Sequence, residues 1–291
     1  MNNITTYLQL PFAQHALIAA TLIALISGLV APFVVTRDMA FAVHGTAELV
    51  FPTAVAGLLI ADDAVGGALV GSIVVAAAIG VLGRRRSERN TAIGVILAFG
   101  LGFGVFLLSF YQGYSSAATN ILFGSIVSVS THDIFILGIV AVIVVVVIMA
   151  IYRPLLFSSV DTDVALARGV PVNALGMVFL FVLAITVTEA AQIVGTLLVL
   201  SLTITPAAAA RHWTANPLAV SAVSIAFALI AADGGFLLSL QFINFNVKAS
   251  VLITFISFAI YLISVGVTRF LHDPRSRVQA ATAKAKVSAA V

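Results

Sequence analysis

Cysteine is absent from this 291-residue chain, and charge is scarce, with only 9% of residues being Asp, Glu, Lys or Arg. Without a thiol, disulfides, thiolate metal sites and thiol nucleophiles are excluded, so any metal must be held by imidazole, carboxylate, carbonyl or water. A water-soluble domain carries about 25% charged and about 45–50% apolar residues; here the apolar fraction is 62%. The missing charge points to lipid. A phosphate-cradling motif is missing too, because none of the three lysines, Lys248, Lys284 and Lys286, follows the required glycine spacing. The chain therefore lacks an ATPase motif of that type. No nucleophile and base are spaced to share a site and no cofactor motif appears, which argues against a membrane enzyme. Residues 1–10 hold no Lys or Arg, so the first apolar segment lacks the cationic flank of a cleaved signal and is expected to be retained.

What is abundant is long apolar runs, near residues 12–35, 39–60, 65–82, 91–110, 135–151, 172–193, 195–210, 218–241 and 249–268. Most are continuous for the roughly 20 residues a membrane helix needs, rather than alternating in segments of about 10 as barrel strands do. The run at 195–210 is short and carries Pro206, so it is expected to kink or to extend across Arg211. Thirteen of the fourteen Lys and Arg residues fall after odd-numbered runs, and only Lys248 falls on the other side. Basic residues are retained in the cytoplasm, which predicts nine spans with the N-terminus outside. The expected fold is an all-α polytopic membrane protein. Residues 1–11 form an extracellular segment, 12–270 the transmembrane domain, and 271–291 a disordered basic cytoplasmic tail near anionic lipid. The high isoelectric point thus reflects loop orientation rather than nucleic-acid binding. Gly66, Gly67 and Gly71, and Gly100, Gly102 and Gly104, are placed to let helices approach closely.

Three acids lie inside spans: Glu48, Glu189 and Asp233. A charge at mid-bilayer costs at least ~2.5–3.5 kcal/mol, so each is a functional candidate by default. Glu48 follows His44 by four residues, a spacing that puts both on one helix face with Cβ atoms about 5–6 Å apart. Counted from the start of the span at about 1.5 Å per residue, the pair lies on the order of 8 to 14 Å deep. An imidazole and a carboxylate so placed suit a divalent metal. The alternative is a His–Glu hydrogen bond serving as structural glue. Gly45, Thr46, Pro52 and Thr53 would allow this helix to be interrupted along a wet route. Glu189, with Thr186, Thr188 and Gln192, either collects cations or lies at the outer interface. Asp233, beside Gly234 and Gly235, either caps a helix break or belongs to a pathway. Thr203 and Thr205, before Pro206, either satisfy backbone or, at Thr203, contact the substrate.

Between the fifth and sixth spans the sequence Asp161-Thr162-Asp163-Val164-Ala165-Leu166-Ala167-Arg168-Gly169-Val170 predicts a short helix, capped by Asp161 or Thr162 and ended by Gly169. It is either a plain connector or a surface for a partner.

These residues resemble the permease subunits of ATP-binding-cassette importers for zinc, manganese and iron in bacteria, the ABC-3 type metal permeases. The resemblance runs from about residue 12 to 270. It rests on Arg37-Asp38-Met39-Ala40-Phe41 leading to Pro52, on the Asp161–Val170 loop, and on Gly195-Thr196-Leu197-Leu198-Val199-Leu200 leading to Pro206 and four alanines. In that family the second span carries Asp and, four residues on, His, then Pro-Gly. Here His44 stands at the Asp position, Glu48 at the His position, and Pro52-Thr53 replaces Pro-Gly. The resemblance implies a permease dimer in the bacterial cell membrane, with two His44–Glu48 pairs near the two-fold axis. Zn2+, Mn2+ or Fe2+ would be the transported ion, and no cofactor would be bound permanently. It also implies a cytoplasmic ATPase docked on Asp161, Asp163, Ala165, Arg168 and Gly169, and an extracellular metal-binding lipoprotein. Two rivals remain: an ATP-driven permease for a metal chelate or cobalamin-type ligand, and a self-sufficient ion-coupled transporter relaying protons through Glu48, Glu189 and Asp233.

Overall fold

The structure, a computed structural model, describes residues 7, 9–83, 86–111, 129–242 and 248–271. The expected basic tail at 272–291 and the start of the extracellular segment lie outside the described residues. The described elements are helical: α1 Pro11–Thr36, α2 Ala40–Ala61, α3 Ala64–Leu82, α4 Arg86–Leu108, α5 Thr131–Val160, α6 Thr162–Ala167, α7 Val172–Val194, α8 Thr196–Thr203, α9 Thr205–Trp213, α10 Pro217–Gln241 and α11 Ala249–Leu271.

Among the described residues, eight of these helices are long and apolar enough to cross a membrane. The ninth expected span is present as two pieces. α8 ends at Ile204, whose backbone leaves the helical region, and α9 begins at once with Pro206 in its first turn. Pro206 offers no N–H to the preceding turn, so the helix breaks outright rather than bending. As the sequence suggested, α9 then continues through Arg211.

The helices form two groups. α2 packs with α3 and α4, while α10 packs with α1 and α11 and α9 touches all three; α5 packs on α1 and α7, and α7 and α8 touch both groups. α1 and α2, though joined by only three residues, make few contacts with each other. Close approach is set by small residues. A Cβ on Gly67 of α3 would run into the backbone of Gly57 of α2, so only glycine permits this crossing. Likewise a Cβ on Gly235 would lie 2.6 Å from Ile253 Cα, which explains why α10 runs unbroken past Asp233. Gly235 serves helix packing rather than a break, so the capping alternative for Asp233 is not formed.

Some helix starts are capped by polar side chains. Asp63 accepts from Gly66 N at 3.0 Å to start α3, and Ser130 with Asp133 forms a reciprocal capping box on α5, each such cap contributing about 1 kcal/mol. Outward faces are apolar instead: Phe99 on α4, Met149 on α5 and Phe255 on α11 are each more than 60% exposed. In water such surfaces would drive association; in lipid they are the solvated state.

α5 is longer than its apolar run. Its 30 residues continue through Arg153 and Pro154 to Val160, about 45 Å at 1.5 Å per residue, against a hydrocarbon core of about 30 Å. Its last turns therefore stand clear of the bilayer core and carry Ser158 and Ser159 to the end of the bundle where α1 stops.

Candidate functional site

α2 is divided by its neighbours into faces. Gly45, Leu49 and Pro52 meet Ile93, Gly100 and Gly104 of α4, while Thr53 and Gly57 meet Gly71 and Gly67 of α3. Val43, Ala47, Val50 and Ala54 are buried on the side where α2 packs against α7 and α8. The face that the described residues leave incompletely covered carries Phe41, His44 and Glu48. Further along it, Phe51 and Val55 are covered by Leu59, Leu107 and Leu108. His44 and Glu48 are half-buried and Phe41 is exposed, with the Phe41 ring 6.2 Å from the imidazole.

The helix does not part at Pro52. α2 is continuous from Ala40 to Ala61, so the interruption expected from Pro52 is not formed. Pro52 has no N–H to offer the Glu48 carbonyl four residues earlier. Thr53 uses its hydroxyl on the Leu49 and Val50 carbonyls, at 2.9 and 3.0 Å, and so steadies the same turn.

Among the described residues, neither His44 nor Glu48 makes a hydrogen bond or ion pair, with each other or with a neighbour. The glue reading thus lacks its bond. Nor does any group of three or more His, Asp or Glu side chains converge among the described residues. One chain therefore brings one imidazole and one carboxylate to this face.

The other candidates do not join this pair. Glu189 is almost fully buried near the end of α7, so it does not lie at a wet interface. Its Oε1, Thr188 Oγ1 and Gln192 Nε2 have no hydrogen-bond partner among the described residues, whereas Thr186 bonds back to Val182 O at 2.8 Å. Asp233 accepts from Thr21 Oγ1 at 3.0 Å across α10 and α1. Thr203, fully buried, donates to Val199 O at 2.8 Å, the backbone-satisfying alternative.

At the opposite end of α5, the short helix forms as its sequence predicts. Asp161 accepts from Asp163 N and Val164 N at 3.1 and 3.0 Å, and Gly169 at φ +76° ends α6. Asp163, Arg168 and Gly169 are exposed, as are Val164 and Leu166 at 44% and 52%. Ala165 is fully buried and anchors the loop to the bundle instead of facing outward. A short polar-capped helix thus displays two apolar side chains.

A bundle of lipid-compatible helices with an imidazole and a carboxylate held within one span defines a multi-pass membrane transport protein. The chain belongs to the ABC 3 transport family, whose model matches residues 9–268. It is 30% identical to an uncharacterized membrane protein of Synechocystis sp. over 90% of this chain and 92% of the relative. To the manganese transport system membrane protein MntC of Halalkalibacterium halodurans it is 28% identical, covering 97% of this chain and all of the relative. The solved structure of PsaBC from Streptococcus pneumoniae in complex with Fab superposes with a TM-score of 0.79 at 29% identity, covering 90% of this chain and 94% of that one.

Sequence reasoning used Arg37 as a marker of orientation and of family resemblance but missed its contacts, because nothing local signals which helices its side chain joins.

Proposed function

We propose that this chain is the permease subunit of an ATP-driven importer of a divalent transition metal, with manganese the first candidate and zinc and iron behind it. The observation that carries the reading is the His44–Glu48 pair, which among the described residues lacks bonding partners and lies on an incompletely covered face of α2. Ionisable groups on such a face are costly against lipid, so they call for a second protein surface or a wet path. A second copy across a two-fold axis supplies both. It would contribute another His44 and Glu48, completing two imidazole and two carboxylate ligands. Carboxylates suit Mn2+, and imidazole suits zinc and iron as well. Manganese also stands in the names of the similar proteins MntC and ScaB.

The chain's Arg- and Lys-rich end would face the cytoplasm, where α6 offers Val164 and Leu166 to a separate ATPase subunit. The metal would arrive from a binding protein on the other side. The transporter, reconstituted with its ATPase, tests the reading: His44→Ala with Glu48→Ala is expected to keep assembly and abolish ATP-dependent Mn2+ uptake. Undiminished uptake would refute the site. Flux driven by a proton gradient through the permease alone would favour an ion-coupled transporter instead.

A further inference from the structure

We propose that Arg37 is the positioning residue that links α6 to the helix carrying His44 and Glu48. The inference rests on the ATP-driven reading above and names the joint through which it would work. Arg37 follows α1 and is buried, although it belongs to the chain's basic end. Its Nη1 donates to Ser159 Oγ at 3.1 Å and to Ser158 Oγ at 3.3 Å. Both hydroxyls spend their own protons on the Leu155 carbonyl, at 2.9 and 2.6 Å, which leaves their lone pairs for the guanidinium. The guanidinium also lies 5.7 Å from the ring centroid of Phe179 on α7, capping an aromatic cluster in which Phe33 packs edge-on against Tyr152 and Phe179.

The contacts run on in both directions. Toward α6, the Ser158 carbonyl accepts from Thr162 Oγ1 at 3.3 Å, and Thr162 is the first residue of α6. Toward the metal face, Arg89 of α4 donates to the carbonyls of Arg37 and Asp38 at 3.2 and 2.9 Å. Asp38 turns the chain at φ +55°, a conformation Asp tolerates better than most residues. α2 then starts at Ala40 and runs unbroken past both His44 and Glu48.

This corner is where the two helix groups are covalently joined, since α1 packs with one and α2 with the other. A displacement of α6 and the end of α5 reaches Arg37 through two serines. A helix without a break passes it on to His44 and Glu48 as a rigid movement. Burying an arginine merely to fill space would be costly, because its desolvation must be offset by bonds; here those bonds span the joint.

The absence of cysteine makes the test clean, because Phe41→Cys places the chain's one thiol on the metal face. In the complete transporter, assembled with its ATPase in lipid nanodiscs, maleimide labelling at this position is compared with and without vanadate-trapped ATP. With Arg37 intact, nucleotide is expected to change the labelling rate. Arg37→Met keeps the stem over Phe179 but removes the donors, and is expected to shrink that response by about tenfold while ATP hydrolysis persists. Ser158→Ala with Ser159→Ala is expected to reproduce the loss, and adding it to Arg37→Met to change nothing more. A full response in the serine variant overturns the proposal, even if Arg37→Met fails to fold. No response with Arg37 intact overturns the ATP-driven reading and the joint together, whereas a response retained in the variants overturns the joint alone.

Discussion

Thr21 and Asp233 meet across α1 and α10, with the hydroxyl donating to the carboxylate at 3.0 Å. The hydroxyl also reaches the Leu17 carbonyl at 2.9 Å, so it sits between the helix backbone and the acid. This bond gives Asp233 a structural task in the more enclosed group of helices. Interhelical hydrogen bonds in membranes average about 0.6 kcal/mol and reach about 1.7. Thr21→Ala should therefore lower stability within that range in a denaturant titration in micelles. Asp233→Asn, which keeps an acceptor, should transport at the native rate; lost uptake at unchanged stability would return Asp233 to the ion pathway.

Gly67→Ile should separate α2 from α3, because the new side chain meets Gly57 backbone that cannot turn aside. Overpacking typically costs about 1–3 kcal/mol and more when backbone must move. The expected outcome is a lower yield of monodisperse protein by size-exclusion chromatography. Gly102→Ala, where a Cβ meets nothing, should behave as the native chain.

Exchanging the pair to His44→Asp with Glu48→His restores the order typical of the resembling permeases. One carboxylate and one imidazole remain on the same face. Uptake should survive the exchange but not the double alanine replacement, and the ranking of Mn2+, Zn2+ and Fe2+ in competition assays should shift. Equal loss in both variants would show that ligand identity is not what the face supplies.

Val164→Ser with Leu166→Ser removes the exposed apolar pair of α6 without touching buried Ala165. Fully burying a Val or Leu contributes about 1.5–3 kcal/mol, so losing either should weaken ATPase binding by at least about tenfold. Co-purification of the two subunits measures it, and unchanged affinity would place the docking face elsewhere.

Much of this was legible along the chain because the rules involved are local. Asp161, Gly169 and the residues between them carry cap and terminator within one turn of the helix they delimit, and α6 formed between them. His44 and Glu48 share a face by helical period alone. Where alternatives stayed open, the deciding facts were not local. Pro52 would have allowed an interruption and Gly234 with Gly235 a break, yet α2 and α10 are continuous. Glu189 could have lain at the interface or inside, and its burial depends on what packs around α7.

By itself the sequence determined that this is a helical membrane protein, where eight of its long apolar helices lie, and that an imidazole and an acid travel together inside one of them. Those outcomes follow from hydropathy and period, which any twenty residues carry within themselves. Tertiary structure alone decided which face of α2 stayed incompletely covered, that Thr21 would take Asp233, and that Arg37 would reach serines more than a hundred residues away. Such pairings depend on how closely distant helices approach, and that distance is set by small residues on both partners at once.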